Sequence, residues 1–242
     1  MKVMAFVFLL LVHTASAEAQ NLLWHAGMES GNLSDWSSSD CGGEFNSGTS
    51  DTQASREQAS TGSWSARMAI TTPDDPISGT RLFRWCEPRR HQELYYSAWF
   101  FIPTKYQVPN FWNVWQYKSK TSNRNDPFFI LNIGNRSNGN MYFYLYDWQH
   151  RKSYSQNIAD VPVGRWFQIE AFHQCAADNS GRVTFWQDGK MLFEVANVQT
   201  RYADGDCQWS LDNYSDMLEP TTSYIYVDDA AISLTKIGMS RP

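Results

Sequence analysis

The chain has 242 residues, a formal net charge of −5 and 15% aromatic residues. An acidic balance argues against a nucleic-acid-binding or membrane-surface protein, read over the chain as a whole. The length suits one large β domain, and no linker, low-complexity tract or repeat divides it.

The first twenty residues, MKVMAFVFLLLVHTASAEAQ, carry one Lys, an apolar run from Val3 to Val12, and the small-residue triplets Ala15-Ser16-Ala17 and Ala17-Glu18-Ala19. This pattern predicts a secretory signal over residues 1–19, cleaved after Ala17 or Ala19. The apolar run is too short to span a hydrocarbon core of about 30 Å. The expected mature protein is residues 20–242, a single domain that is secreted, extracellular or periplasmic, monomeric, and without membrane or nucleic-acid partners. Four cysteines, Cys41, Cys86, Cys175 and Cys207, suit two disulfides in an exported chain. Three pairings exist, of which Cys41–Cys86 with Cys175–Cys207 closes the shorter loops.

Along the mature chain apolar residues alternate with period two. WSARMAIT (64–71), TRLFRWC (80–86), LYYSAWFFIP (94–103), PFFILNI (127–133) and NMYFYLYDW (140–148) are short, aromatic or β-branched, and bounded by turn residues. RWFQIEAFHQC (165–175), GRVTFWQDGKMLFEV (181–195) and TSYIYVDDAAISL (222–234) continue the pattern. Asp188-Gly189 and Asn138-Gly139 mark hairpins. About a dozen strands and no long helix predict an all-β, jelly-roll β-sandwich.

The segment from 103 to 152 holds seven Lys/Arg, only two acids (Asp126 and Asp147), and twelve aromatics. Within it, FWNVWQYKSK places Trp112, Val114, Gln116 and Lys118 on one face by simple alternation. In the strand 140–148, Met141, Phe143 and Leu145 take one face and Tyr142, Tyr144, Tyr146 and Trp148 the other. A sandwich strand needs one face for the core, so the second aromatic row suits stacking against sugar rings; burial under a loop is the alternative. No phosphate loop, zinc-type spacing, nucleophile elbow or carboxylate pair on one strand is present. Glu170 stands alone on its face, and His173 shares its face with Phe167, Ile169 and Ala171, as a core histidine would. His91, in EPRRHQE, lies among charges near a strand start.

The succession ELYYSAWFFIP, NVWQYK, DPFFILNIG…MYFYLY, GRWFQIEAF…GRVTFWQDGK, WSLDNY, IYVDDAAIS resembles the polysaccharide lyases of concanavalin A-like jelly-roll fold, nearest the heparin lyase I and glucuronan lyase groups, with alginate lyases further off. The family's Gln-x-His on a cleft strand is matched by Gln116-Tyr117-Lys118, and its Lys-x-Gly-x-Tyr by Ser210-Leu211-Asp212-Asn213-Tyr214. Lys118 stands in place of the histidine, and Ser210 and Asp212 in place of the lysine and glycine.

The resemblance implies β-elimination on a uronic-acid polymer, with an anionic polysaccharide as partner. Such chemistry needs a carboxylate neutraliser, a base for the C5 proton and an acid for the leaving O4. Gln116 suits the first role, with Arg84, Arg90 or His91 assisting. Tyr214 suits base and acid, although a tyrosine titrates near 10 and needs cations that favour its phenolate. Lys118 supplies that charge or is itself the base. The resemblance also implies a structural calcium between first and last strands, with Glu29 and Asp228 or Asp229 as hard oxygen ligands. A non-catalytic carbohydrate-binding protein and a glycoside hydrolase are the competing readings.

Overall fold

The computed structural model describes residues 21–72 and 77–239, so the expected signal segment lies outside the described residues. The described residues form strands β1 (Leu22–Ala26), β2 (Gly42–Ser47), β3 (Thr49–Ser55), β4 (Ser65–Thr71), β5 (Ser78–Arg84), β6 (Glu93–Phe101), β7 (Trp112–Lys120), β8 (Asn125–Asn135), β9 (Met141–Asp147), β10 (Lys152–Ser155), β11 (Trp166–Gln174), β12 (Gly181–Gln187), β13 (Lys190–Val198), β14 (Asp206–Ser215) and β15 (Thr222–Ser233), the expected alternating segments among them. One-turn helices α1 (Ser34–Ser37) and α2 (Cys86–Arg90) interrupt them.

Two antiparallel sheets stack as a jelly-roll sandwich. One runs β13-β12-β11-β6-β15-β4-β3, with β1 also paired to β15; the other runs β10-β9-β8-β7-β14-β5-β2. Asp188 and Gly189 both have positive φ, +47° and +75°, the type I′ geometry whose twist matches a two-residue hairpin between β12 and β13. Gly139, at φ +79°, turns β8 into β9 and donates its N–H to the Arg136 carbonyl at 2.8 Å.

The inner faces meet in an aromatic core. Trp36, Trp115 and Trp209 are fully buried, with Trp115 5.1 Å and Trp36 5.6 Å from Trp209 between ring centroids. Rings of this size each remove about 150–250 Å² from water. His173 is the core histidine that its neighbours predict: it stacks on Tyr117 at 4.1 Å, and burial pushes its imidazole down to about 3. The disulfides are Cys41–Cys86 and Cys175–Cys207. The second joins the end of β11 to β14 and so ties the two sheets together, each loop closure being worth about 4 kcal/mol in a chain-entropy account.

Strand β7 departs from simple alternation. Its pairing with β8 slips between Asn113 and Trp115, a bulge that gives two β7 residues where β8 has one. The phase reverses there: Trp112, Val114, Trp115 and Tyr117 all pack in the core, while Asn113 joins Gln116 and Lys118 on the outer face. The single-face grouping of Trp112 and Val114 with Gln116 is therefore corrected. A second slip lies on β14 between Leu211 and Tyr214. Asn213 faces inward with Trp209 and Leu211, as alternation along β14 places it, accepting from Trp112 Nε1 at 2.8 Å and donating to the Met68 carbonyl at 2.9 Å.

Candidate active site

The outer face of the seven-stranded sheet holds a cleft of about 500 Å³. Cross-strand pairs lie on one face, so the registers lay out its floor in rows. Tyr144, Asn132, Asn113, Tyr214 and Gly79 form one row across β9, β8, β7, β14 and β5. Tyr146, Ile130, Gln116, Ser210 and Phe83 form the next, and Lys118, between Pro127 and Gln208, begins a third. Arg81 of β5 sits opposite Asp212 of β14, between the first two rows.

Tyr214 is held from three sides. The Arg81 guanidinium lies 4.7 Å above its ring and Phe111 packs at 5.6 Å. Beneath it is Gly79, where a Cβ would fall 2.0 Å from Tyr214 Cδ2; only a residue with no side chain admits the ring. Arg81 in turn ion-pairs with fully buried Asp212 at 3.1 Å, and the Ser210 hydroxyl donates to the same carboxylate oxygen at 3.0 Å. Burial raises the Asp212 carboxyl, opposed by Arg81, Ser210 and Lys118. Burial first, then Arg81, lowers the Lys118 ammonium to about 8, against the pull of Asp212 and Asp126. Burial, then its two tyrosine neighbours, pushes Tyr144 up to about 12, so its hydroxyl is a donor in the cleft rather than a base.

Gln116, Lys118, Tyr214, Tyr144, Tyr146 and Trp148 thus line one cleft. Tyr142 continues the aromatic row outward, 6.3 Å from Tyr144, with Arg136 4.6 Å over its ring. Arg84 does not join them. It points to the opposite side of β5, 2% exposed, donating to the Trp36 carbonyl at 2.8 Å and pairing with Glu87 at 2.5 Å. Its role is to fasten α1 and α2 to the sheet. Arg90 ends α2 and His91 follows it; neither lines the cleft. The floor instead uses Arg81, Asn113 and Asn132, which the sequence reading passed over. Arg81 was findable: three residues from Arg84, it must take the other face of the strand. Asn113 was not, because the bulge that turns it outward has no local signature.

Glu29, Asp228 and Asp229 gather around one loop, residues 60–64. Glu29 accepts from the Ser63 and Trp64 amides at 3.0 Å, and Asp228 from the Ser60 amide at 2.8 Å and the Thr61 amide at 3.2 Å. Asp229 accepts from the Thr61 hydroxyl at 2.8 Å and faces His25 at 3.6 Å. Among the described residues no group of three or more acids, histidines or cysteines is arranged to hold a metal ion, and no step is assigned to a metal.

A family model of polysaccharide lyases matches residues 28–231. Among solved structures, the chain is similar to the endo-β-1,4-glucuronan lyase of the fungus Trichoderma reesei, at 17% identity over 88% of this chain and 96% of that one, with a TM-score of 0.67. It is also similar to the cellulose-induced protein Cip1, at 11% identity, 89% and 99% coverage and a TM-score of 0.60. For the alginate lyase of Aplysia kurodai the figures are 10% identity, 89% and 99% coverage and a TM-score of 0.59. Among curated proteins none matches the chain. The structural likenesses, at such identities, bear on the fold alone; the family match extends over most of the chain, which belongs to the polysaccharide lyase family.

Proposed function

We propose that the protein is a secreted, monomeric lyase that cleaves a uronic-acid polysaccharide by β-elimination on the outer face of its seven-stranded sheet. One observation carries the assignment of roles: Tyr214 is fixed between Gly79 and the Arg81 guanidinium, in the row next to Gln116. The amides of Gln116, Asn113 and Asn132, with Arg81, hydrogen-bond the uronate carboxyl group as charge spreads into it, which acidifies the C5 proton. Tyr214, its ring held under the Arg81 guanidinium, takes that proton. The C5–H electron pair becomes the C4–C5 double bond, the C4–O4 bond breaks, and Tyr214 returns the proton to the departing O4. Lys118 lies beyond Gln116, on the side away from Tyr214, where its ammonium holds a neighbouring uronate.

No Asp or Glu lines the cleft among the described residues, so the paired carboxylates of a glycoside hydrolase are missing. The two disulfides suit an exported protein. Incubation with glucuronan, alginate and heparin, followed by the ultraviolet absorbance of the unsaturated uronate product, tests the reading. Absorbance is expected to rise on at least one polymer; binding without any rise sinks the lyase in favour of a carbohydrate-binding protein. Lys118 separates two mechanisms. As a required cation with its ammonium near 8, it makes kcat/KM fall as pH rises through about 8, and Lys118→Arg moves that fall upward. A rate that instead rises through the same pH, and vanishes in Lys118→Arg, makes Lys118 the base.

A further inference from the structure

The cleft opens at one side into a second depression. Beyond Arg81 and Lys118, which line both, the sheet forms a hollow of about 240 Å³ walled by Phe45, Phe83, Lys120 and Gln208. Phe45 is 50% exposed on the edge strand β2, where a large apolar ring needs a reason. Its cross-strand partner is Arg81, and the partner of Phe83 is Gly43. With no side chain at Gly43, nothing from β2 covers Phe83; a Cβ there would sit 3.6 Å from the ring. Neither hollow is lined by an acid among the described residues. At the far side of the cleft stands Trp148, 49% exposed and 6.1 Å from Tyr146. From β9, which leads into Trp148, to β2 the sheet takes five strand steps, about 24 Å at the usual spacing, before any shortening by curvature.

We propose that Phe45 and Phe83, with Lys118 and Lys120, form a distal subsite that stacks and charge-pairs a uronate residue several units from the bond being broken. This rests on the uronate-lyase reading above. The ligand chemistry follows from the walls: the Phe45 and Phe83 rings offer a face to a sugar, and the three cations Arg81, Lys118 and Lys120 together select one that carries a carboxylate. The polymer then runs across the strands from Trp148 to Phe45, continuous through the shared Arg81 and Lys118. One end of this path lies on the edge strand β2 and the other at the turn between β9 and β10, so a chain can pass beyond both and be cut internally.

The test uses the full chain carrying Tyr214→Phe, so that oligomers survive, titrated calorimetrically with glucuronic-acid oligosaccharides from disaccharide to decasaccharide. Affinity is expected to climb with length until both aromatic platforms are spanned. Adding Phe45→Ala, a substitution at an exposed position, is expected to remove about tenfold from the long oligomers and no more than about twofold from the trisaccharide. A plateau at the trisaccharide, or a Phe45→Ala variant that binds long oligomers as its parent does, overturns the subsite. If length dependence is present while the unsubstituted protein yields no unsaturated product, the lyase reading fails and the subsite stands. Product without length dependence has the reverse meaning; failure to bind any oligomer overturns the subsite, and joined to the absence of product on every polymer it overturns both.

Discussion

Buried carboxylates are handled in opposite ways at two places. Under the cleft, Asp212 is met by a guanidinium at 3.1 Å and a hydroxyl. Beside the first and last strands, Asp228 is met by backbone amides, with a second buried acid, Asp229, next to it. Burial raises both carboxyls, and only at Asp212 do cations oppose it. Burial and then Asp229 raise the Asp228 carboxyl to about 7. At the cleft the cations outnumber the acids, since Arg81, Lys118 and Lys120 gather around Asp212 and Asp126, and positive charge is left over for a ligand. The loop cluster turns its charge inward and shapes residues 60–64. A buried acid thus serves a binding face only when its counter-ion also reaches the surface, as Arg81 does at 18% side-chain exposure.

The largest break in this comparison is expected from Tyr214→Phe, which keeps the ring and its stacking but removes the proton carrier. A kcat loss of about 10³-fold is expected, within the range for general acid–base groups, with the thermal midpoint unmoved; near-normal turnover would remove Tyr214 from the chemistry. Gly79→Ala comes next. Its Cβ collides with the Tyr214 ring, and displacement by about 1 Å is expected to cost roughly 10²-fold in turnover. The accompanying signature is a kcat loss larger than any change in KM, since the carboxylate donors stay in place.

Arg81→Met tests the compensation itself. It removes the paired guanidinium from buried Asp212, so a destabilisation of about 3–5 kcal/mol is expected in denaturant unfolding. Adding Asp212→Asn should restore most of that stability and none of the activity; a double variant no more stable than the single one would contradict the pairing. The smallest effect belongs to the loop cluster. The Asp228 carboxyl titrates near 7 in the fold against an ordinary 3.8, so its favourable contribution is complete below about 3.8 and is lost as pH rises through about 7. Asp228→Asn is expected to flatten the decline in thermal midpoint over that window. Calcium or a chelator is expected to shift the midpoint by less than about 1 °C with the carboxylates held by amides; a rise of several degrees in calcium, together with loss of the pH slope, would restore the ion expected from the sequence.

Much of this architecture is legible locally. Strand β9 shows why: a period-two pattern is fixed by backbone geometry, so Met141, Phe143 and Leu145 had to face the core if Tyr142, Tyr144 and Tyr146 faced out. Turn chemistry is equally local, as Asp188-Gly189 shows. The polar strands β2 and β3 escaped notice because GGEFNS and TSDTQAS carry no apolar period; their pairing to β5 and β4, not their composition, makes them strands. For the same reason the hollow at Phe45 was invisible.

The sequence by itself determined the sandwich, the aromatic row on β9 and the Gln116–Lys118 pair, because each follows from residue spacing along one strand. Only the tertiary structure decided which cations and amides share the cleft with them. The bulge on β7 turns Asn113 outward. The choice of Arg81 over Arg84 rests on which face of β5 the neighbouring strand buries. Bulges and strand order arise from pairing between segments up to about two hundred residues apart, and such long-range registry leaves no trace in the period of any single strand.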